Sequence, residues 1–283
     1  DAGCIAFTQG LTPMAGNRIL RRSLEYAATF DLTIIFTPQD ADLAEGGMAH
    51  EGPTASRLGL VGIPESAETV ALARDLLLIE QTGVRAHFSG LTSARAMDML
   101  ADAQARGLPV TADVAAYQLL LCDEDLVGFS SQLHVMPPLR SAADRRALRE
   151  AVQSGVVQAI ASHHRPHEAE AKRVPFAASA PGISSVEILL PLALTLVADG
   201  LLELPAALSR VTSGPASALG LPAGIGQLQL GGAADIILFD PAQACEIGRN
   251  WLSRGSNCPF IGQGAPAAVT HTLHGGKLVY QLT

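Results

Sequence analysis

His163, His164 and His167 crowd into one short segment. The His-x-x-x-His spacing of His163 and His167 can chelate zinc when both rings leave one face of a helix. Here Pro166 interrupts such a helix and no glutamate adjoins the first histidine, which argues against a metalloprotease site. Zinc needs several converging donors, so the simpler reading is a polar loop with rings hydrogen-bonded to water or backbone. Asp40, in Pro38-Gln39-Asp40-Ala41-Asp42, is a carboxylate able to ligate a metal, although capping a helix or forming a turn is its expected role. His50, His134, His271 and His274 have no partner by spacing and read as surface or ordinary core residues. The segment from His163 to Gly182 is long for a loop in a compact domain and reads as a lid, a binding loop or local disorder.

The elements that must carry these side chains alternate between strand and helix. Cys4 to Phe7, a helix over about 17–30, and the β-branched run Leu32 to Phe36 make a βαβ rhythm. A helix after Pro64 places Val70, Ala73 and Leu77 on one face and leads to the strand Val84 to Phe88. A helix from about Thr92 to Arg106 stops at Gly107 and precedes the strand Pro109 to Val114. Ser141 with Asp144 opens a helix ending near Gly155, followed by a buried strand from Val156 to Ala161. Ser184 and Glu187 have capping-box spacing before the apolar helix that ends at Gly200. In all, six barrel strands are expected, near residues 4, 32, 84, 109, 133 and 156. Past about residue 215 come short strands with glycine turns: Leu228 to Leu230, Ile236 to Phe239, and a hairpin from Val269 to Tyr280 around Gly275-Gly276. We expect one domain over 1–215 and a second over 216–283.

With 283 residues, 48% hydrophobic content and 16% charged residues, the chain can bury one large core and a smaller appended domain. A formal charge of -8, with scattered Lys and Arg, argues against a nucleic-acid partner. The longest apolar run, Ile188 to Val197, contains Pro191 and is too short for a membrane span, so no membrane association is expected. The start, Asp1-Ala2-Gly3-Cys4, lacks the features of a signal peptide. Cys4, Cys122, Cys245 and Cys258 are far apart, as reduced thiols of a cytoplasmic protein would be.

Pattern alone does not decide between a doubly wound sheet and a barrel. Gln158 to His167 (Gln-Ala-Ile-Ala-Ser-His-His-Arg-Pro-His) resembles the dihydroorotase segment Ile-Ala-Thr-Asp-His-Ala-Pro-His. Lys172, Phe176, Pro181-Gly182 and Glu187 follow at the spacing of that family's active-site loop. Met136 to Arg140 resembles Asn-Pro-Pro-Leu-Arg, and Val110 to Val114 resembles Val-Thr-Ala-Glu-Val. Gly226 to Asp240 resembles the closing Gly-x-Leu-x-x-Gly-x-x-Ala-Asp-Ile signature, and Ser256 to Gly262 another late stretch. The chain is therefore similar, over essentially its whole length, to the dihydroorotases of the amidohydrolase superfamily.

That resemblance implies an α/β fold, a distorted (β/α)8 TIM-type barrel with a small appended β domain and its site at the carboxyl ends of the strands. It also implies zinc-assisted opening or closing of the dihydroorotate ring, with an Asp on the last strand moving the proton. The ligand positions are altered. No His-x-His pair is present; Gly90 stands at one ligand position, and Tyr117, in Ala116-Tyr117-Gln118, stands in the Pro-His-His stretch that carries another. His163 replaces the catalytic Asp, and Met136 the substrate-binding Asn. Asp40 matches the Asp of the family's His-x-Glu-Asp segment, and His167 the His that contacts the substrate carboxylate.

The expectation is thus no catalytic residue, a vestigial substrate site of His167, Met136, Pro181 and Gly182, and no metal at the degenerate positions Asp40, Gly90, Tyr117 and His163. The alternative is an active zinc-dependent cyclic amidohydrolase rebuilt around His163, His164, His167 and Asp40. The pattern of losses most resembles the inactive dihydroorotase-like chains that partner bacterial aspartate carbamoyltransferase, which implies a homo- or hetero-oligomer in pyrimidine biosynthesis. Because the match begins at the third barrel strand, we expect the chain to be a portion of a longer polypeptide.

Overall fold

The computed structural model describes residues 3–10, 16–248 and 251–282; Asp1 and Ala2, read above for a leader, lie outside them. Strand β1 (Ala6–Thr8) leads to helix α1 (Asn17–Thr29), β2 (Thr33–Phe36), the single turn α2 (Ala41–Ala44), β3 (Ala49–His50), α3 (Pro53–Leu58) and β4 (Gly62–Ile63). Then come α4 (Ser66–Thr82), β5 (Arg85–Phe88), α5 (Ala94–Ala105), β6 (Val110–Ala115), α6 (Ala142–Ser154) and β7 (Ala159–Ala161). Helices α7 (Leu189–Ala198), α8 (Leu204–Val211) and α9 (Ser213–Ala218) precede β8 (Ile236–Phe239), β9 (Cys245–Glu246), β10 (Gly264–Ala265), β11 (Val269–His274) and β12 (Lys277–Gln281).

The barrel wall is one parallel sheet in the order β1-β2-β5-β6-β7, with Ile35 opposite His87, His87 opposite Thr111, and Asp113 opposite Ala159. Strands covered on both faces are largely apolar, and Phe36, Ala86, Phe88, Ala112, Val114 and Ile160 are all buried. Phe36 and Phe88 pack with ring centroids 5.6 Å apart. Five strands rather than the expected six form this sheet among the described residues. The strand expected near residue 133 is a 3-10 turn, Ser131–Leu133, followed by Pro137 and Pro138, which have no N–H to give a ladder, and β6 pairs directly with β7.

The helices follow local chemistry. Leu20, Leu24 and Ala27 put the apolar stripe of α1 against the wall. Ser141 and Asp144 form the capping box of α6, and Gly155, at φ 90, ends it. Val70, Ala73 and Leu77 share a face of α4; that face looks outward, with Val70 50% and Leu77 66% exposed, and Ala67, Ala71, Leu72, Leu76 and Ile79 make the inward face. One expectation needs correction. The Ser184–Glu187 capping box does not form, because a 3-10 turn over Val186–Ile188 aims the Glu187 carboxylate at the backbone N–H groups of Leu252 and Ser253. Ser184 Oγ is left buried without a partner.

Toward the carboxyl end, β12-β11-β8 form an antiparallel sheet, with β11 and β12 joined at Gly275-Gly276, both at positive φ as a tight hairpin requires. Leu228 to Leu230 lies in no strand. All four cysteines are free thiols, and no helix among the described residues is long and apolar enough to cross a membrane.

Candidate functional site

The carboxyl ends of β5, β6 and β7 converge on Asp113, a buried carboxylate of β6. His87 of β5 places Nε2 3.0 Å from Asp113 Oδ2 and Nδ1 2.8 Å from Thr111 Oγ1. His163, just past β7, places Nε2 2.8 Å from Asp113 Oδ1, which also accepts the Gly90 N–H at 2.9 Å. Burial pushes the Asp113 carboxyl upward, but hydrogen bonds from His163 and His87, together with their charge, outweigh it and hold Asp113 well below the ordinary carboxylate range. His163 adopts φ 47, a left-handed conformation that non-glycine residues hold only when their surroundings enforce it.

The remaining expected site residues are dispersed around this hub. Tyr117 is buried, and desolvation raises its phenol pKa, so it stays neutral. Gln118 Nε2 donates to the carbonyls of Pro137 and Pro138. Met136 Sδ meets Gln39 Nε2 at 3.9 Å. Asp40 caps α2 by accepting the Leu43 N–H at 3.0 Å, in keeping with its expected structural role. His164 Nδ1 accepts the N–H groups of Ser185 and Val186, and His167 Nε2 donates to the Pro181 carbonyl at 3.1 Å. Gly182 donates to the His134 carbonyl and, at φ 144, lies under the Arg165 side chain. His163, His164, His167 and Asp40 thus each serve a different local contact.

The sequence did not show what several of the surrounding residues bind. Asn257 ties the long loop together: its Oδ1 accepts the His167 N–H at 2.7 Å, and its Nδ2 donates to the carbonyls of Arg165 and Gly182. Its motif was visible, but nothing in the spacing revealed which backbone it binds. Lys172 Nζ donates to the carbonyls of Ser131 and His134 at 2.9 and 3.1 Å, and burial lowers its pKa to about 8. His134 stacks on Phe176 and bonds Ser179 Oγ, so the 163–182 segment is a braced loop. Beneath the site, Glu68 accepts the backbone N–H and hydroxyl of Thr92, while Arg140 donates to Thr92 Oγ1 and the Ile63 carbonyl.

The zinc implied by the resemblance does not fit these residues. Both oxygens of Asp113 are engaged by imidazole nitrogens, residue 90 offers no side-chain donor, and Tyr117 is a neutral phenol. Among the described residues, no three His, Cys, Asp or Glu side chains are disposed to hold a metal ion.

A parallel βα wall with its polar cluster at the strand ends is the layout of the amidohydrolase family, whose model matches residues 24–279. The chain belongs to that family. It is a dihydroorotase-like amidohydrolase, 67% identical over 281 residues to the dihydroorotase-like protein of Pseudomonas aeruginosa and 64% identical over 280 residues to that of Pseudomonas putida. Against the dihydroorotase of Syntrophus aciditrophicus the identity is 41% over 282 residues. Each of these alignments covers 99% of this chain but 66% of the relative, so the chain spans just under two thirds of their length. The L-hydantoinase (dihydropyrimidinase) from Arthrobacter aurescens superposes with a TM-score of 0.86 at 22% identity, over 100% of this chain and 67% of that one. The D-hydantoinase from Thermus sp. gives 0.82 at 20% identity, over 98% and 63%. At such identities these neighbours establish the barrel fold alone.

Proposed function

We propose that this amidohydrolase is non-catalytic and serves as a structural partner of aspartate carbamoyltransferase in pyrimidine biosynthesis. The observation that carries the first half is the enclosure of Asp113. A dihydroorotase of the type the sequence resembles must polarise an amide carbonyl, hold a hydroxide and move a proton with a carboxylate. Here an imidazole stands at the proton-moving position, bound to a carboxylate whose oxygens are already engaged.

The second half rests on an asymmetry. Chemistry-bearing positions are replaced (Gly90, Tyr117, Met136, His163), whereas capped helices, the buried sheet and the braced 163–182 loop are intact. A partner protein needs a rigid surface and no metal, and function resides in sites rather than in the fold. The relatives of highest identity given above carry the description dihydroorotase-like, in keeping with this reading. The test is co-expression of the full-length protein with the transcarbamoylase of the same organism, followed by size-exclusion chromatography and a transcarbamoylase assay. Co-elution, with activity dependent on the complex, is expected. Separate elution at micromolar concentration with a fully active lone transcarbamoylase overturns the partner role, and chelator-sensitive hydrolysis of dihydroorotate overturns the non-catalytic one.

A further inference from the structure

We infer that His163 and Gly90 are a matched pair that closes the cation position of this fold from within, the imidazole filling the volume a donor side chain on residue 90 would need. This deepens the non-catalytic half of the reading above and does not depend on any partner.

A Cβ built on Gly90 would lie 2.6 Å from His163 Cε1 and 3.4 Å from both ring nitrogens, so it points at the edge of the imidazole. Nothing larger than hydrogen fits there while the ring stays in place. Gly90 also sits at φ +75, where glycine is the least strained residue. The ring is not free to yield. Its Nε2 is 2.8 Å from Asp113 Oδ1, the same oxygen that takes the Gly90 N–H at 2.9 Å, so backbone and ring are fastened to one buried atom. The left-handed φ of 47 at His163 is held by this anchoring.

One-residue reversions therefore cannot reopen the site. Gly90→His drives a side chain into the anchored ring, and His163→Asp sets a second carboxylate beside Asp113, where like charges oppose each other. The two changes must be reversed together, which distinguishes a closed site from one that has merely lost a ligand.

The test is a double-mutant cycle on the full-length protein: Gly90→Ala, His163→Ala and both together, followed by urea denaturation. The cost of alanine in a left-handed conformation is common to both backgrounds and cancels, leaving the clash with the ring. Gly90→Ala is expected to lower the folding equilibrium constant at least about tenfold more in the native background than beside His163→Ala. If Gly90→Ala alone fails to fold and the double variant folds, that is the same result in stronger form. Equal effects in the two backgrounds overturn the pairing. Equilibrium dialysis against zinc chloride supplies a readout independent of folding energies. The native protein is expected to retain no zinc that His163→Ala would release. One equivalent bound at micromolar zinc and lost on His163→Ala makes the ring a ligand and overturns the inference.

Discussion

Asp113→Asn is the most informative single change, because it preserves shape while removing the charge on which the hub depends. The carboxylate accepts three hydrogen bonds, from His87 Nε2, His163 Nε2 and Gly90 N, at 3.0, 2.8 and 2.9 Å. A charge-assisted bond exceeds a neutral one by about 1 kcal/mol, so three bonds amount to about 3 kcal/mol. The amide also presents an NH2 group to one imidazole, forcing a change of tautomer at His87 or a lost bond at His163. Relief from burying a charge offsets part of this, so about 2–3 kcal/mol of destabilisation is expected at neutral pH, and about 3–5 kcal/mol for Asp113→Ala, which leaves His163 Nε2 and His87 Nε2 without their acceptor while His87 keeps Thr111. For a chain of this size the Asn variant's loss corresponds to a fall in Tm of roughly 3–5 °C. Thermal denaturation followed by circular dichroism at pH 7.5 measures it. Polar clusters kept for catalysis are commonly strained, and their removal is often neutral or stabilising. An Asp113→Asn variant within about 0.5 kcal/mol of the native protein, or above it, refutes the claim that this hub is structural.

Two further outcomes follow from buried polar groups elsewhere. Asp75 is fully buried on α4, with Oδ1 bound to Arg74 and Oδ2 lacking a partner, and burial raises its pKa to about 6 despite the guanidinium. Since the folded state then holds a proton that the unfolded state releases near pH 4, Asp75 makes stability fall as pH rises from about 4 to about 6, by up to about 3 kcal/mol. Asp75→Asn should flatten that window in urea denaturation at pH 4.5 and 7.5; an unchanged pH slope rules the account out. Asn257→Ala removes three hydrogen bonds that pin Arg165, His167 and Gly182, and should raise amide exchange across residues 163–183 by about 1–3 kcal/mol of local opening while leaving α4 and α5 unchanged. Uniformly faster exchange across the whole chain would contradict it.

Much of this was legible in the sequence because it is local. The box at Ser141 and Asp144, the helix over 17–29 and the Gly275-Gly276 hairpin depend on residues a few positions apart. The altered site positions were legible through the resemblance. What could not be read were relations across long separations. The spacing of Val70, Ala73 and Leu77 defines a face, but only the packing of α1 and α5 against α4 determines which face is buried. The Ser184–Glu187 box failed because Glu187 found backbone donors at Leu252 and Ser253, outcompeting a cap. Likewise Asp113 lay in a quoted motif with no assigned role, since His87 is 26 positions away and His163 is 50.

On the reading proposed above, these relations bear on how a barrel without a metal centre could remain a barrel. An ion bound by groups from several strand ends also joins those ends mechanically, so deleting the ligands would leave them splayed and their buried polar groups unpaired. In this chain Asp113 of β6 gathers the end of β5 through His87, the loop after β5 through Gly90 and the loop after β7 through His163. The hub covers much of the joining a metal would provide, with neutral or singly charged groups in place of a divalent ion. It also explains why the residue at the proton-moving position is a histidine and not a small apolar side chain: an alanine there would leave Asp113 Oδ1 with the Gly90 N–H alone. On the proposed non-catalytic reading, replacement of the site residues and retention of the fold belong to one substitution pattern. Two of the replaced positions, Gly90 and His163, each make a hydrogen bond to Asp113 that ties a loop after one strand to β6.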